Sequence, residues 1–140
     1  MDYVLLATDA DWIRSEVASA IAGPGLVVAT VADGKHVVPA VRERVYDLII
    51  TDLQVGNMGG MAITMALHNE HTGGRLPRVP VLMLLDRAAD LHLARRSGAE
   101  GWLIKPLDPM RLQAAVRKLL SGGEWHEGLE TTVTTDAVPS

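Results

Sequence analysis

Leu48-Ile49-Ile50-Thr51-Asp52-Leu53 decides how this chain reads. Its apolar residues run together without polar alternation, and the run stops at a threonine and an acid. A strand wetted on one face alternates, whereas a strand covered on both faces does not. The same signature recurs on either side. Val4-Leu5-Leu6-Ala7 stops at Thr8-Asp9, and Val81-Leu82-Met83-Leu84-Leu85 stops at Asp86. Leu26 to Val31 is a β-branched run, and Trp102-Leu103-Ile104 stops at Lys105-Pro106. The chain therefore reads as five short strands, each buried on both faces.

Helical spacing fills the intervals. Ile13, Val17 and Ile21 recur every fourth residue behind Asp11, a suitable N-cap. Val37, Val41 and Val45 form a second stripe, and Met61, Ile63, Met65 and Leu67 mark a third helix. Leu91 and Ala94 mark a fourth, ending at Ser97-Gly98. Leu112, Ala115, Val116 and Leu119 make the clearest stripe, ended by Gly122-Gly123. Strict β-α alternation predicts a doubly wound α/β fold. Parallel strands are joined by right-handed crossovers, with two helices on one sheet face and three on the other.

Composition narrows the function classes. At 140 residues the chain holds one ordinary core, and 48% hydrophobic with 21% charged residues excludes global disorder. A net charge of −4 without a long basic run argues against direct nucleic-acid binding. Arg87, Arg95, Arg96, Arg111, Arg117 and Lys118 make the C-terminal third locally basic, which reads as a solvated helical face. The absence of cysteine excludes disulfides, thiolate zinc sites and thiol catalysis, and the absence of Phe requires an aliphatic core. No apolar run approaches the roughly 20 residues of a membrane helix. The acidic start Met1-Asp2-Tyr3 lacks the basic flank of a signal peptide, so a cytoplasmic domain with no membrane contact is expected. The organised domain is expected over residues 1–120. Residues 121–140 read as a mostly disordered tail, in which Trp125 and Leu129 offer at most one helical turn.

In an open parallel sheet, chemistry collects at the carboxyl ends of the strands. That edge holds Thr8 and Asp9, then Asp52, then Leu85 and Asp86, then Lys105. Carboxylates and one ammonium thus converge from distant positions. Oxygen ligands without His or Cys suit Mg²⁺, and a carboxylate nucleophile, a hard cation and a fixed ammonium are equipment for phosphoryl transfer. A strand-end cap remains the plain alternative for Asp52. His68 and His71 flank Glu70 at a solvated helix end, which reads as surface rather than metal site.

With these residues in place the sequence resembles the receiver domain of two-component response regulators, the CheY-like family. The resemblance rests on residues 48–53 around the acceptor and on Gly98-Ala99-Glu100-Gly101-Trp102-Leu103-Ile104-Lys105-Pro106, and covers residues 3–120. It implies the flavodoxin-like strand order 2-1-3-4-5 in a three-layer α/β/α sandwich. It further implies that Asp52 is the phosphorylation site, that Asp9, Asp52 and the Gln54 carbonyl ligate Mg²⁺, and that Lys105 contacts the phosphoryl oxygens. By the same resemblance Gly60 opens the third helix and Arg14 lies in register. Trp102 takes the aromatic position coupled to switching, although plain packing is the better reading of its indole.

Three departures change the expectations. Thr8 stands where the family carries a second acid, so Mg²⁺ binding should be weak. Val55-Gly56 replaces Met-Pro after the acceptor, suggesting a more flexible loop. Leu85 stands where the family places a Ser or Thr whose hydroxyl follows the phosphoryl group. No hydroxyl is available nearby, since residues 73–96 contain neither Ser nor Thr. Asp86 adds a like charge unless it points away.

The expected function is that of a stand-alone receiver, not an enzyme in its own right. It is phosphorylated on Asp52 by a histidine kinase or phosphotransfer protein and signals to a downstream protein as a monomer or weak dimer. The alternative is a pseudo-receiver, an interaction module independent of phosphorylation. Glu130-Thr131-Thr132-Val133 resembles threonine motifs that Ser/Thr kinases modify, although Thr-rich tails are common.

Overall fold

The computed structural model describes residues 1–128. Its order is β1 (Asp2–Ala7), α1 (Asp11–Ile21), β2 (Leu26–Val31), α2 (Val37–Glu43), β3 (Leu48–Asp52), α3 (Gly60–Thr72), β4 (Val81–Leu85), α4 (Leu91–Ser97), β5 (Gly101–Ile104), α5 (Pro109–Leu120) and β6 (Trp125–His126). The sheet order is β2-β1-β3-β4-β5-β6, and every neighbouring pair is parallel. The five expected strands and their order are thus present, with a short sixth strand added at the edge.

Side-chain alternation divides the central strands between two cores. Leu5, Ile49, Val81, Met83, Leu85 and Trp102 face α2, α3 and α4, together with Val37, Val41, Ile63, Leu67 and Ala94. Val4, Leu6, Leu48, Ile50, Leu82, Leu84 and Leu103 face α1 and α5, against Ile13, Val17, Leu112, Ala115 and Val116. Strands β3 and β4 are buried along their whole length, which is why neither shows polar alternation. Burial of each such aliphatic side chain contributes about 1.5–3 kcal/mol.

Local readings are corrected at three places. Asp11 is not the N-cap of α1. The helix begins at Asp11 behind Ala10, whose amide is held instead by Thr8 Oγ1 at 3.1 Å, while Asp11 pairs with Arg14 one turn on. Val45 is not part of the α2 stripe, because α2 ends at Glu43 and Val45 is exposed. Of the α3 candidates, Ile63 and Leu67 are buried whereas Met65 is exposed.

The tail from Ser121 also departs from the expectation. Residues 121–128 return along the sheet, and Trp125-His126 pair with Gly101-Trp102 as a parallel strand rather than a helical turn. Helix α5 is the crossover that makes a parallel β6 possible. Gly101 provides the room, since a Cβ there would sit 3.1 Å from the Trp125 carbonyl oxygen. Glu127 then locks the segment. Its carboxylate accepts from the Ile104 amide at 3.0 Å and from Arg111 Nε at 2.7 Å, and its carbonyl accepts from the Trp102 indole at 2.8 Å. Leu129 and the threonine motif at 130–133 lie outside the described residues.

Candidate phosphoacceptor site

Strand ends β1, β3 and β5 bring Thr8, Asp9, Asp52 and Lys105 to one edge, as their spacing required. Asp52 closes β3 opposite Leu84 and is almost fully buried. Its two oxygens have different partners. Oδ2 accepts from the Thr8 hydroxyl at 2.5 Å, and Oδ1 lies 2.5 Å from Lys105 Nζ. Beyond this close ion pair, Oδ1 takes no other bond among the described residues.

Lys105 is placed by its own backbone, whose amide donates to the Leu85 carbonyl at 2.8 Å, and the Lys105–Pro106 peptide bond is cis. Its ammonium also donates to Asp86 Oδ1 at 2.8 Å and lies over the exposed Trp12 ring, 5.4 Å from the centroid. Burial pushes the ammonium down. The bonds and charges of Asp52 and Asp86 outweigh that and hold it above the ordinary lysine value. Lys105 is therefore a permanent cation at neutral pH. Asp86 does not point away; it shares the single lysine with Asp52.

The acceptor loop is tied rather than loose. Gly56 donates to Asp9 Oδ2 at 3.1 Å, and its carbonyl accepts from the Gly34 amide at 3.0 Å. Asn57, at φ 64°, donates to Asp33 Oδ2 at 2.6 Å. The Lys35 backbone amide bonds Asp33 and, with Asn57, outweighs desolvation to hold this carboxyl below the usual range. Gly56 is thus fastened by Asp9, just past β1, and by Gly34 in the segment after β2. Gly60 opens α3 as expected: its amide donates to the Leu53 carbonyl at 2.9 Å, and a Cβ would collide with the Asp52 carbonyl. Arg14 reaches the Thr8 carbonyl at 3.4 Å, in keeping with its register.

For a metal, the Asp9 and Asp52 carboxylates at this edge are oxygen donors, and the Gln54 carbonyl is the further ligand that the resemblance implies. Among the described residues no three acidic or imidazole side chains cluster to hold an ion by themselves. A cation here would lean on carbonyl and water ligands, which suits Mg²⁺, since it keeps several waters. His68 and His71 do not meet: His68 lies 3.6 Å from Glu100, and His71 faces the Leu76 carbonyl.

At the switch positions, Leu85 is fully buried on the face shared with Met83 and Trp102. Trp102 is stacked on His126, with ring centroids 4.3 Å apart, and tethered to Glu127. Its indole is a packed and anchored group, in agreement with the packing reading. Two contributors escaped the sequence. Thr8 registered there only as a missing acid, yet its hydroxyl is the donor to Asp52. Glu127 gave no signal, because its shortest bonds reach Trp102, Ile104 and Arg111, 16 to 25 residues away.

The model of the response regulator receiver domain matches residues 4–117. The chain belongs to this family. Its relatives include the DNA-binding response regulator MtrA of Mycolicibacterium smegmatis, 29% identical over 86% of this chain and 51% of that protein. The transcriptional regulatory protein AfsQ1 of Streptomyces coelicolor is 29% identical over 89% of this chain and 53% of its own length. The chain thus spans about half the length of the curated relatives it matches. Among solved structures, the chemotaxis response regulator CheY4 of Vibrio cholerae superposes with a TM-score of 0.74 at 27% identity, over 85% of this receiver and 98% of that chain. A response regulator of Chloroflexus aurantiacus gives a TM-score of 0.77 at 21% identity, over 86% and 98%, a likeness of fold. No described helix is long and apolar enough to cross a membrane.

Proposed function

We propose that this receiver accepts a phosphoryl group on Asp52 from a histidine kinase or phosphotransfer protein and signals through protein contacts. The observation that carries the reading is the Asp52 carboxylate itself. It is buried, bonded by Thr8 on one oxygen and paired at 2.5 Å with the Lys105 ammonium on the other. In the transfer, an Asp52 oxygen attacks phosphorus and the P–N bond of a donor phosphohistidine breaks. The departing imidazole keeps the electron pair and takes its proton from solvent. Lys105 holds the negative charge that gathers on the phosphoryl oxygens, in a site fixed before the reaction. Thr8 fixes the carboxylate's orientation. Mg²⁺, held by Asp9, Asp52 and the Gln54 carbonyl, would neutralise phosphoryl charge when bound.

A second reading, a phosphorylation-independent module, is favoured by two features: Leu85 gives the phosphoryl group no hydroxyl, and Trp102 is anchored. Incubation with a small phosphodonor and Mg²⁺ separates the two. One phosphoryl group on the native chain and none on Asp52→Asn supports the acceptor. No incorporation from either a small donor or a cognate kinase leaves the module.

A further inference from the structure

Lys105 has two carboxylate partners and a single charge. Asp52 lies on one side, buried at the end of β3; Asp86 lies on the other, one residue past β4, with its side chain 55% exposed. Lys105 is the only side-chain partner of Asp86 among the described residues. We propose that Asp86 is the group displaced from Lys105 when Asp52 is phosphorylated. The moving part of this receiver is then a carboxylate that leaves, in place of a hydroxyl that arrives. The proposal rests on the acceptor reading of Asp52.

Charge and anchoring together select Asp86. A phosphoryl group on Asp52 adds negative charge beside the one ammonium, and a second anion on that ammonium is repelled. Thr8, Asp52 and Leu85 are buried in the closely packed interior. Asp86 faces water and loses little by being rehydrated. The chain beyond it is also lightly held. Arg87 is extended, Ala88–Asp90 make a single 3₁₀ turn with no side-chain cap, and the Arg87–Asp90 pair is 3.5 Å long, with its Arg87 end exposed and its Asp90 end largely covered. That turn leads directly into the seven residues of α4. Release of Asp86 therefore loosens the β4–α4 connection. The anchors of β5 on Glu127 are untouched, so residues 101–104 stay in place.

Asp86 acts through Lys105 and is a positioning residue. The test uses the full chain, Mg²⁺ and beryllofluoride as the phosphoryl mimic, with Asp86→Asn and the charge-preserving Asp86→Glu. In the native chain the mimic should speed amide exchange over residues 86–91. In Asp86→Asn these amides should exchange fast without the mimic and change little with it, while the mimic binds about tenfold more tightly or better, because one opposing charge is gone. Asp86→Glu should restore both native properties, which loss of a merely structural contact would not explain. Native affinity and a native exchange change in Asp86→Asn would overturn the proposal while leaving Asp52 as acceptor. Failure of the mimic to bind either the native chain or Asp86→Asn would overturn the acceptor reading, and this proposal with it.

Discussion

Leu85→Thr restores the hydroxyl that strand β4 lacks, and its consequences follow from where Leu85 sits. The side chain is fully buried with Met83 and Trp102. Replacing it removes two methyl-sized groups, about 1.6 kcal/mol at about 0.8 per group. The new hydroxyl is buried without an evident partner in the resting state, which costs about 1–3 kcal/mol more. The resting protein should lose roughly 3–5 kcal/mol, readable in a urea or thermal melt. With a phosphoryl mimic on Asp52 the hydroxyl gains a charge-assisted acceptor, worth about 1.5–3 kcal/mol. That differential contact is a population shift of about tenfold to a hundredfold that the native chain lacks. Amide exchange with and without beryllofluoride reads it directly. The native response should stay within residues 86–97, and in Leu85→Thr it should spread across residues 98–118. A native response already covering residues 98–118, unchanged in Leu85→Thr, would refute the reasoning.

Thr8→Asp should tighten Mg²⁺ binding at least about tenfold by adding a carboxylate, and should lower stability because it sets a second acid beside buried Asp52. Fluorescence titration of Trp12 checks the first effect and a melt the second. Glu127→Ala removes the acceptor of the Ile104 amide and of Arg111. It should cost about 1–3 kcal/mol and shift Trp102 emission to the red, as its cover on β5 loosens. Lys105 has its folded value raised above the unfolded one, so its stabilisation is complete below the ordinary lysine value and is lost as pH climbs through the folded value. Denaturation midpoints should therefore fall above about pH 10.5, and this alkaline loss should be absent in Lys105→Met.

Much of the molecule was legible because its signals are local. The apolar runs of β3 and β4 and the α5 stripe each declare burial within a few residues. The strand-end positions of Asp9, Asp52 and Lys105 then follow from topology alone. What stayed hidden depends on pairs far apart in the chain. The Thr8–Asp52 bond spans 44 residues and emerges only once β1 and β3 are in register. Asp86 was readable as a like charge, but its bond to Lys105 needed the β4–β5 pairing. Strand β6 has two residues and no periodicity, so its signal was too short to read; Gly101 was the available hint. Val55-Gly56 suggested slack because the ties to Asp9 and Gly34 lie outside the local sequence.

Locating the phosphoryl group tests the central claim most directly. The native chain would be treated with a small phosphodonor and Mg²⁺, the acyl phosphate reduced with borohydride, and the peptides mapped by mass. Reduction converts a phosphorylated aspartate to homoserine, so the acceptor is marked permanently. Conversion at residue 52 alone, absent without the donor, is the expected result. Conversion at Asp9 or Asp86 with Asp52 intact, or no conversion at all, would contradict it.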